Sequence, residues 1–205
     1  PMTEVAPLRA LPKSAVRDAS DSIGREIVAG RYAVEGKLPL EAELSEQLGV
    51  SRTVLRETTR LLTAKGMVKP VRHFGTAVRH HENWNLLDPD IALWHEIDSP
   101  TIDFMREELK ALMQAVLPLA ALNAARGFEA DGFTGDTPDS AEAFIVMIFE
   151  TANSRVYQNA RDLAFHFVRL NKWDDMQAGL FDRLQVAVLA GRADEARSCA
   201  ELIVS

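Results

Sequence analysis

The chain has 205 residues, of which 47% are hydrophobic, and a net charge of −7 at neutral pH. This length and composition predict one large or two compact globular domains. No apolar run approaches the roughly 18 residues that a membrane-spanning helix needs, and we expect a cytoplasmic protein. The single cysteine, Cys199, excludes an internal disulfide.

The negative charge is unevenly distributed along the chain. Residues 1–80 contain 13 Lys/Arg and 9 Asp/Glu, a net charge of +4, whereas residues 81–205 contain 10 and 21, a net charge of −11. A basic segment releases counterions when it binds DNA, and an acidic segment is repelled by phosphate. We therefore expect double-stranded DNA as the partner of the N-terminal part only.

The chain begins with a segment that lacks periodicity, and residues 1–14 are predicted to be a flexible arm. From Ala15 the apolar residues recur at helical spacing until Gly30 ends the run. This pattern predicts the first helix of a DNA-binding domain that extends over residues 15–79.

Residues 36–65 have the pattern of a helix-turn-helix. The first helix can begin at Pro39, whose fixed φ suits the first turn. Its apolar stripe consists of Leu40, Leu44 and Leu48. Gly49 supplies a left-handed residue that ends this helix, and Ser51 is a favourable N-cap for the next one.

The second helix of this motif has two different faces. The predicted buried face comprises Val54, Leu55, Thr58, Leu61 and Leu62. The opposite face carries Arg52, Thr53, Arg56 and Arg60. The positive end of the helix dipole lies at the same end, so these side chains can face phosphates or guanine edges in a major groove. An ordinary amphipathic helix with a solvated face is the alternative, and the neighbouring helix and wing favour DNA contact.

A β-hairpin wing is predicted over residues 67–79, and Pro70 marks its first strand as an edge strand. The polar, basic tip of this hairpin is formed by Arg72, His73, Phe74 and Gly75. Arg72 and His73 can contact the DNA backbone or minor-groove edges, and Gly75 permits a close approach. In the alternative interpretation, Phe74 and Gly75 only shape the hairpin.

Residues 80–99 form an apolar linker, in which Asp88 signals the start of a short helix docked between two domains. Four residues of the linker can ligate metals in principle: His80, His81, Glu82 and His95. They lack the paired helical spacing of a metal site, so we expect no metal there.

Residues 100–205 are predicted to be an all-α helical domain. The predicted helices cover residues 102–126, with a kink at Pro118, and residues 141–151, 156–171, 176–189 and 193–204. Candidate effector-binding residues are Arg106, Asn153, His166 and Arg169. A surface or subunit contact is an equally good interpretation of these residues. We find no nucleophile with a base, paired carboxylates or phosphate loop, so we do not expect an enzyme.

The N-terminal motif resembles the winged helix of the GntR family of bacterial transcription regulators, over residues 15–79. The residues that carry the resemblance are Leu38-Pro39-x-Glu41, Leu44, Leu48-Gly49-Val50-Ser51-Arg52-Thr53-x-Leu55-Arg56-Glu57, Leu61-Leu62, Lys65-Gly66 and Gly75-x-x-Val78. The resemblance implies a homodimer on a palindromic operator, contacted by Ser51, Arg52, Thr53 and Arg56 with help from the wing tip. Where some members carry an Arg, this chain has Ala42.

The helical remainder, residues 100–205, resembles the effector domain of the FadR-like subgroup, which implies that it serves dimerisation and effector binding. The linker is similar to that of repressors responsive to sugar acids such as galactonate. Many members coordinate a metal with one Asp and three His and use an Arg and a Glu on the first long helix. By local matching, this chain has Ser140, Phe144 and Phe181 at the positions of the Asp and two of the His ligands. It has Met113 and Leu117 at the positions of the Arg and the Glu. We therefore expect no metal or other cofactor, and either a filled core or an apolar pocket.

Taken with the resemblance, the sequence predicts a mainly α protein with a winged helix-turn-helix of three helices and a β-hairpin, followed by an all-α bundle. The expected function is that of a repressor released by a sugar acid or another organic acid. The alternatives are a regulator whose helical domain serves only dimerisation and a sensor of acyl-type ligands.

Overall fold

The computed structural model describes residues 15–96, 98–131, 137–152, 154–171, 173 and 175–205. The arm predicted for residues 1–14 lies outside these ranges. The described chain divides into two compact units, residues 15–105 and residues 106–205. The predicted fold class is confirmed: a winged helix-turn-helix is followed by a helical region.

The N-terminal unit is built from three helices and a two-stranded antiparallel hairpin, followed by one short helix. Its elements are α1 (Ala15–Val28), α2 (Glu41–Leu48), α3 (Arg52–Ala64), β1 (Val68–Val71), β2 (Gly75–Val78) and α4 (Pro89–Trp94). Helix α3 packs against both α1 and α2. Their apolar stripes meet in a core that contains Ile23, Ile27, Leu44, Leu55 and Leu62.

Two details of the helix-turn-helix differ from the sequence prediction. Helix α2 begins at Glu41 rather than Pro39, because Leu40 is the N-cap and its backbone N–H donates to Glu43 Oε2 at 3.0 Å. Leu40 is therefore 53% exposed instead of buried. Leu61 was also expected in the core, but it lies at the exposed edge of the buried face of α3.

The linker predicted over residues 80–99 belongs, as far as it is described, to the N-terminal unit. Asp88 begins α4 as expected, by accepting a hydrogen bond from the Asp90 N–H at 3.0 Å. Helix α4 packs against α1, where the buried Trp94 donates from Nε1 to Asp21 Oδ1 at 2.9 Å. Gly24 leaves room for the indole, since a Cβ there would lie 2.4 Å from the Trp94 ring.

The described secondary-structure elements of the C-terminal unit are all helices. Its helices are α5 (Ile102–Asp131, whose first turn belongs to the N-terminal unit), α6 (Ala141–Thr151), α7 (Arg155–Leu170), α8 (Asp175–Leu189) and α9 (Ala193–Ile203). Helix α5 continues through residues 127–131, five residues beyond the end that the sequence predicted. Helices α6 and α7 pack together, as do α8 and α9, which Gly191 connects with φ of 70°. Among the described helices, none has the length and apolar composition to cross a membrane.

Candidate nucleic-acid interface

The exposed face of α3 is set by how the helix starts and what it buries. Gly49 adopts a left-handed conformation with φ of 64°, and the Ser51 Oγ accepts a hydrogen bond from the Val54 N–H at 3.3 Å. Leu55 and Thr58 then point into the core. Because those residues fix the rotation of the helix, the predicted DNA-contacting residues all lie at the surface: Ser51, Arg52, Thr53, Arg56 and Arg60.

Two of the three arginines of this face are held by carboxylates. Arg56 Nε donates to Glu41 Oε2 at 3.3 Å, and Arg60 is paired with Glu57 on the same helix. Arg52 has no ion pair within the described residues. Exposed pairs of this kind contribute only about 0–1 kcal/mol, so a DNA phosphate or base can replace either carboxylate.

The wing is an antiparallel hairpin in which Val68 pairs with Val78 and Val71 pairs with Gly75. Its turn requires two left-handed residues, His73 with φ of 59° and Gly75 with φ of 101°. Glycine adopts this conformation without steric cost. Arg72 and His73 are both exposed at the tip, as expected for residues that reach a DNA groove.

A third segment, residues 35–38, which is extended from Gly36 onwards, pairs with the outer edge of β2. The Leu38 N–H donates to Thr76 O and the Val78 N–H donates to Gly36 O, both at 2.9 Å. This pairing with the wing was not predicted from the sequence. These bonds fix the wing relative to the start of α2.

A groove of about 410 Å³ separates α3 from the wing. Its lining includes Arg52 from α3, Glu41 from α2, Lys37 from the extended segment, and Gly75 of the wing. The fold thus brings Arg52 and Gly75, predicted separately from the sequence, to one cavity. Lys37 was not among the predicted contacts, because its position beside the groove depends on the pairing of residues 35–38 with β2.

An ionic cluster around the buried Lys65 side chain lies at the opposite end of α3, and the sequence did not predict it. Lys65 is the C-cap of α3, and its Nζ contacts Asp88 Oδ2 and, at 2.8 Å, Asp90 Oδ2. The Lys65 side chain is only 8% exposed, and its ammonium also lies 5.6 Å from the centroid of the Trp94 ring. Arg17 of α1 donates to Asp90 Oδ1 at 3.0 Å. The cluster joins α1, α3 and the linker.

The candidate effector residues lie in the C-terminal unit, with the exception of Asn153, which falls outside the described residues. Arg106 Nε donates to the carbonyl of Leu170, the last residue of α7, at 2.7 Å. His166 is buried and its Nδ1 accepts a hydrogen bond from Arg169 Nε at 3.1 Å. The Arg106 contact joins α5 to the end of α7, whereas the His166–Arg169 bond lies within α7. An effector-binding role for the three residues remains a prediction.

The positions that the resemblance assigned to metal and carboxylate binding are mostly apolar and buried. Met113 and Leu117 of α5, Phe144 of α6 and Phe181 of α8 are all buried. Ser140 caps α6 by accepting from the Ala143 N–H at 3.1 Å. The described residues contain no cluster of three or more His, Cys, Asp or Glu side chains that could hold a metal ion.

Comparison with known proteins places a family match on the N-terminal unit. Residues 15–78 match the model of bacterial regulatory proteins of the gntR family. The chain is 45% identical over 75 residues to the HTH-type transcriptional regulator YieP of Escherichia coli, a match that covers 37% of this chain and 33% of YieP.

Two further relatives extend beyond the winged helix. The galactonate operon transcriptional repressor of Escherichia coli is 35% identical over 103 residues, which cover 49% of this chain and 45% of the repressor. The HTH-type transcriptional regulator Rv0494 of Mycobacterium tuberculosis is 31% identical over 177 residues, which cover 83% of this chain and 66% of the relative. The chain therefore spans between one third and two thirds of the lengths of these relatives.

Proposed function

Because the chain belongs to the GntR family of bacterial transcription regulators, we propose that it binds one DNA operator sequence specifically and represses transcription from it. The observation that carries the proposal is the exposed face of α3, where Arg52, Thr53 and Arg56 lie side by side next to the wing groove. Guanidinium groups on such a helix can make bidentate bonds to guanine O6 and N7.

The proposed regulator acts as a homodimer. Two-fold symmetry presents two copies of α3 to DNA, and each copy reads one half-site of a palindromic operator. The interface of the dimer is assigned to the C-terminal unit, whose acidic sequence suits a position away from phosphate.

The test begins with selection of duplexes from a random library by the wild-type protein, followed by mobility shifts on the selected duplex. Arg52→Ala and Arg56→Ala should each weaken specific binding by about 1–3 kcal/mol if each guanidinium makes a bidentate base contact. Arg155→Ala, which removes the same charge from the start of α7, is the matched control and should leave the affinity unchanged.

Binding of both α3 variants with wild-type affinity would contradict the assignment of this helix to the major groove. An asymmetric selected sequence would instead contradict the palindromic operator while leaving the helix assignment in place.

We further propose that an acidic small molecule, a sugar acid or another organic acid, releases the repressor from DNA. The similarity to a galactonate operon repressor supports this class. The burial of Met113, Leu117 and Phe144 supports the alternative in which the C-terminal unit serves only dimerisation. An acyl group is a further candidate ligand. A ligand acts only through its differential affinity for the two states.

Thermal-shift screening of sugar acids, organic acids and acyl compounds, repeated as a mobility shift with each hit, distinguishes these alternatives. A hit that both raises the melting temperature and weakens DNA binding supports an effector of that class. If no compound of any class gives a hit, the result favours a C-terminal unit that serves dimerisation alone.

A further inference from the structure

Lys37 lies at the surface beside the wing, on the extended segment that is paired with β2. Its backbone forms an antiparallel bridge with Ala77, so the position of its Cα is fixed relative to the hairpin. Its Nζ lies 5.4 Å from the centroid of the Phe74 ring, at the distance of a cation–π contact. The exposed Phe74 ring therefore supports the ammonium at the mouth of the groove between α3 and the wing.

The charge of this groove favours an anion. Lys37 and Arg52 both line it, and neither has an ion pair within the described residues. Glu41 is the acidic residue in the lining, and its carboxylate is already paired with Arg56 at 3.3 Å. Two cations thus face the groove without compensation by the described part of the chain.

Gly75 keeps the groove open beside Lys37. A Cβ at this position would lie 3.3 Å from Lys37 Cε, and φ of 101° strains any other residue. A larger residue would displace the lysine stem and narrow the access to the ammonium. Because Gly75 has no side chain, both the Lys37 side chain and a bound ligand can approach the wing closely.

We infer that Lys37 is a further DNA-contacting residue, which binds one phosphodiester of the operator backbone in the groove between α3 and the wing, beside the base contact proposed for Arg52. This inference rests on the proposed DNA-binding function. A primary ammonium is a point charge without the planar fork of a guanidinium, so the contact contributes affinity but no base discrimination.

The test measures equilibrium binding of the full chain to the selected duplex and to a scrambled duplex over a range of salt concentrations. Lys37→Met should weaken binding to both duplexes by about five- to tenfold and reduce the slope of log K against log salt by about one. Phe74→Leu should weaken binding to both duplexes by about two- to fivefold, since it removes the cation–π support but keeps the charge.

Lys110→Met, which removes the same charge from α5 in the C-terminal unit, is the matched control and should leave the salt slope unchanged. Lys37→Arg should restore the slope. An unchanged slope in Lys37→Met, or a loss confined to the selected duplex, would overturn the phosphate contact. Failure of the wild type to select any duplex would overturn the proposed sequence-specific function instead. In that case, binding to a duplex of arbitrary sequence still tests whether Lys37 contacts a phosphate.

Discussion

Helix α3 of the N-terminal unit and helix α7 of the C-terminal unit differ in which side chains they bury. In the N-terminal unit, α3 buries Leu55, Thr58 and Leu62 and leaves most of its polar residues at the surface. In the C-terminal unit, α7 buries a much larger part of its second half, including His166. The exposed arginines of α3 suit the DNA contact proposed for this helix, whereas His166 of α7 is buried and bonded to Arg169 of the same helix.

This difference has a consequence for what stabilises each unit. The C-terminal unit has a core of aromatic and aliphatic side chains on α5, α6 and α8. The N-terminal unit also has a buried apolar core, and it adds an ionic cluster around the buried Lys65 side chain. We therefore expect the largest effect from truncation of a core side chain in the C-terminal unit, and a smaller one from removal of the Lys65 ammonium in the N-terminal unit.

The largest effect is expected from Phe144→Ala in α6. Phe144 is 2% exposed, so truncation removes a buried ring and leaves a cavity in the C-terminal unit. Such substitutions cost about 3–5 kcal/mol. Hydrogen exchange resolved by residue should show faster exchange in α6 and α7, with the amides of α3 unchanged.

Leu202→Ala in α9 is the control, because its side chain is exposed and should cost well under 1 kcal/mol. A cost below about 1 kcal/mol for Phe144→Ala as well would mean that Phe144 lines a pocket open to solvent or ligand. That result would favour effector binding by the C-terminal unit over a function in dimerisation alone.

The fold was predictable where local signals are strong. Gly49, Ser51 and Gly191 ended or started helices where the sequence indicated, because glycine conformation and side-chain capping act over a few residues. The start of α2 was misplaced because Glu43 reaches back to the Leu40 N–H, and this bond competes with the preference of Pro39 for a first turn.

Contacts between distant residues were the part that the sequence did not reveal. Lys65 lies 23 residues from Asp88 in the ionic cluster, and no periodic pattern links them. The exposed face of α3 follows from helical geometry alone, so Arg52 and Arg56 were predictable as surface residues. The pairing of Arg56 with Glu41 and the place of Lys37 in the groove required the tertiary fold.

The second prediction concerns the cluster that holds the linker on α1 and α3. Lys65→Met should destabilise the N-terminal unit by about 2–3 kcal/mol, because it leaves Asp88 and Asp90 without their ammonium partner. Loss of one partner of a fully buried pair costs about 3–5 kcal/mol, and the partial exposure of the two carboxylates reduces this value. Urea denaturation is followed by tryptophan fluorescence with Trp173→Phe in every protein compared, so that the remaining tryptophans, Trp84 and Trp94, report on this unit.

Lys110→Met again provides the charge-matched control, since its ammonium is at the surface of α5 and its removal should change stability by less than about 0.5 kcal/mol. The triple variant Lys65→Met, Asp88→Asn, Asp90→Asn should regain part of the lost stability, because it removes the two carboxylate charges that Lys65 had compensated. Equal stability of Lys65→Met and the wild type would show that the cluster does not anchor the linker.

The smallest predicted effect on stability comes from replacing one glycine in each unit by alanine. The two substitutions should have opposite signs, because the space around the two glycines differs. Gly179 lies in the exposed side of α8, where a Cβ meets nothing within 4 Å. Gly179→Ala should therefore stabilise the C-terminal unit by about 0.5–1 kcal/mol, since alanine loses less backbone entropy in a helix. Gly24→Ala in α1 should destabilise the N-terminal unit, because the added methyl overlaps the Trp94 ring. Thermal unfolding of the two variants checks the opposite signs, and stabilisation by both would show that α4 can move off α1 at little cost.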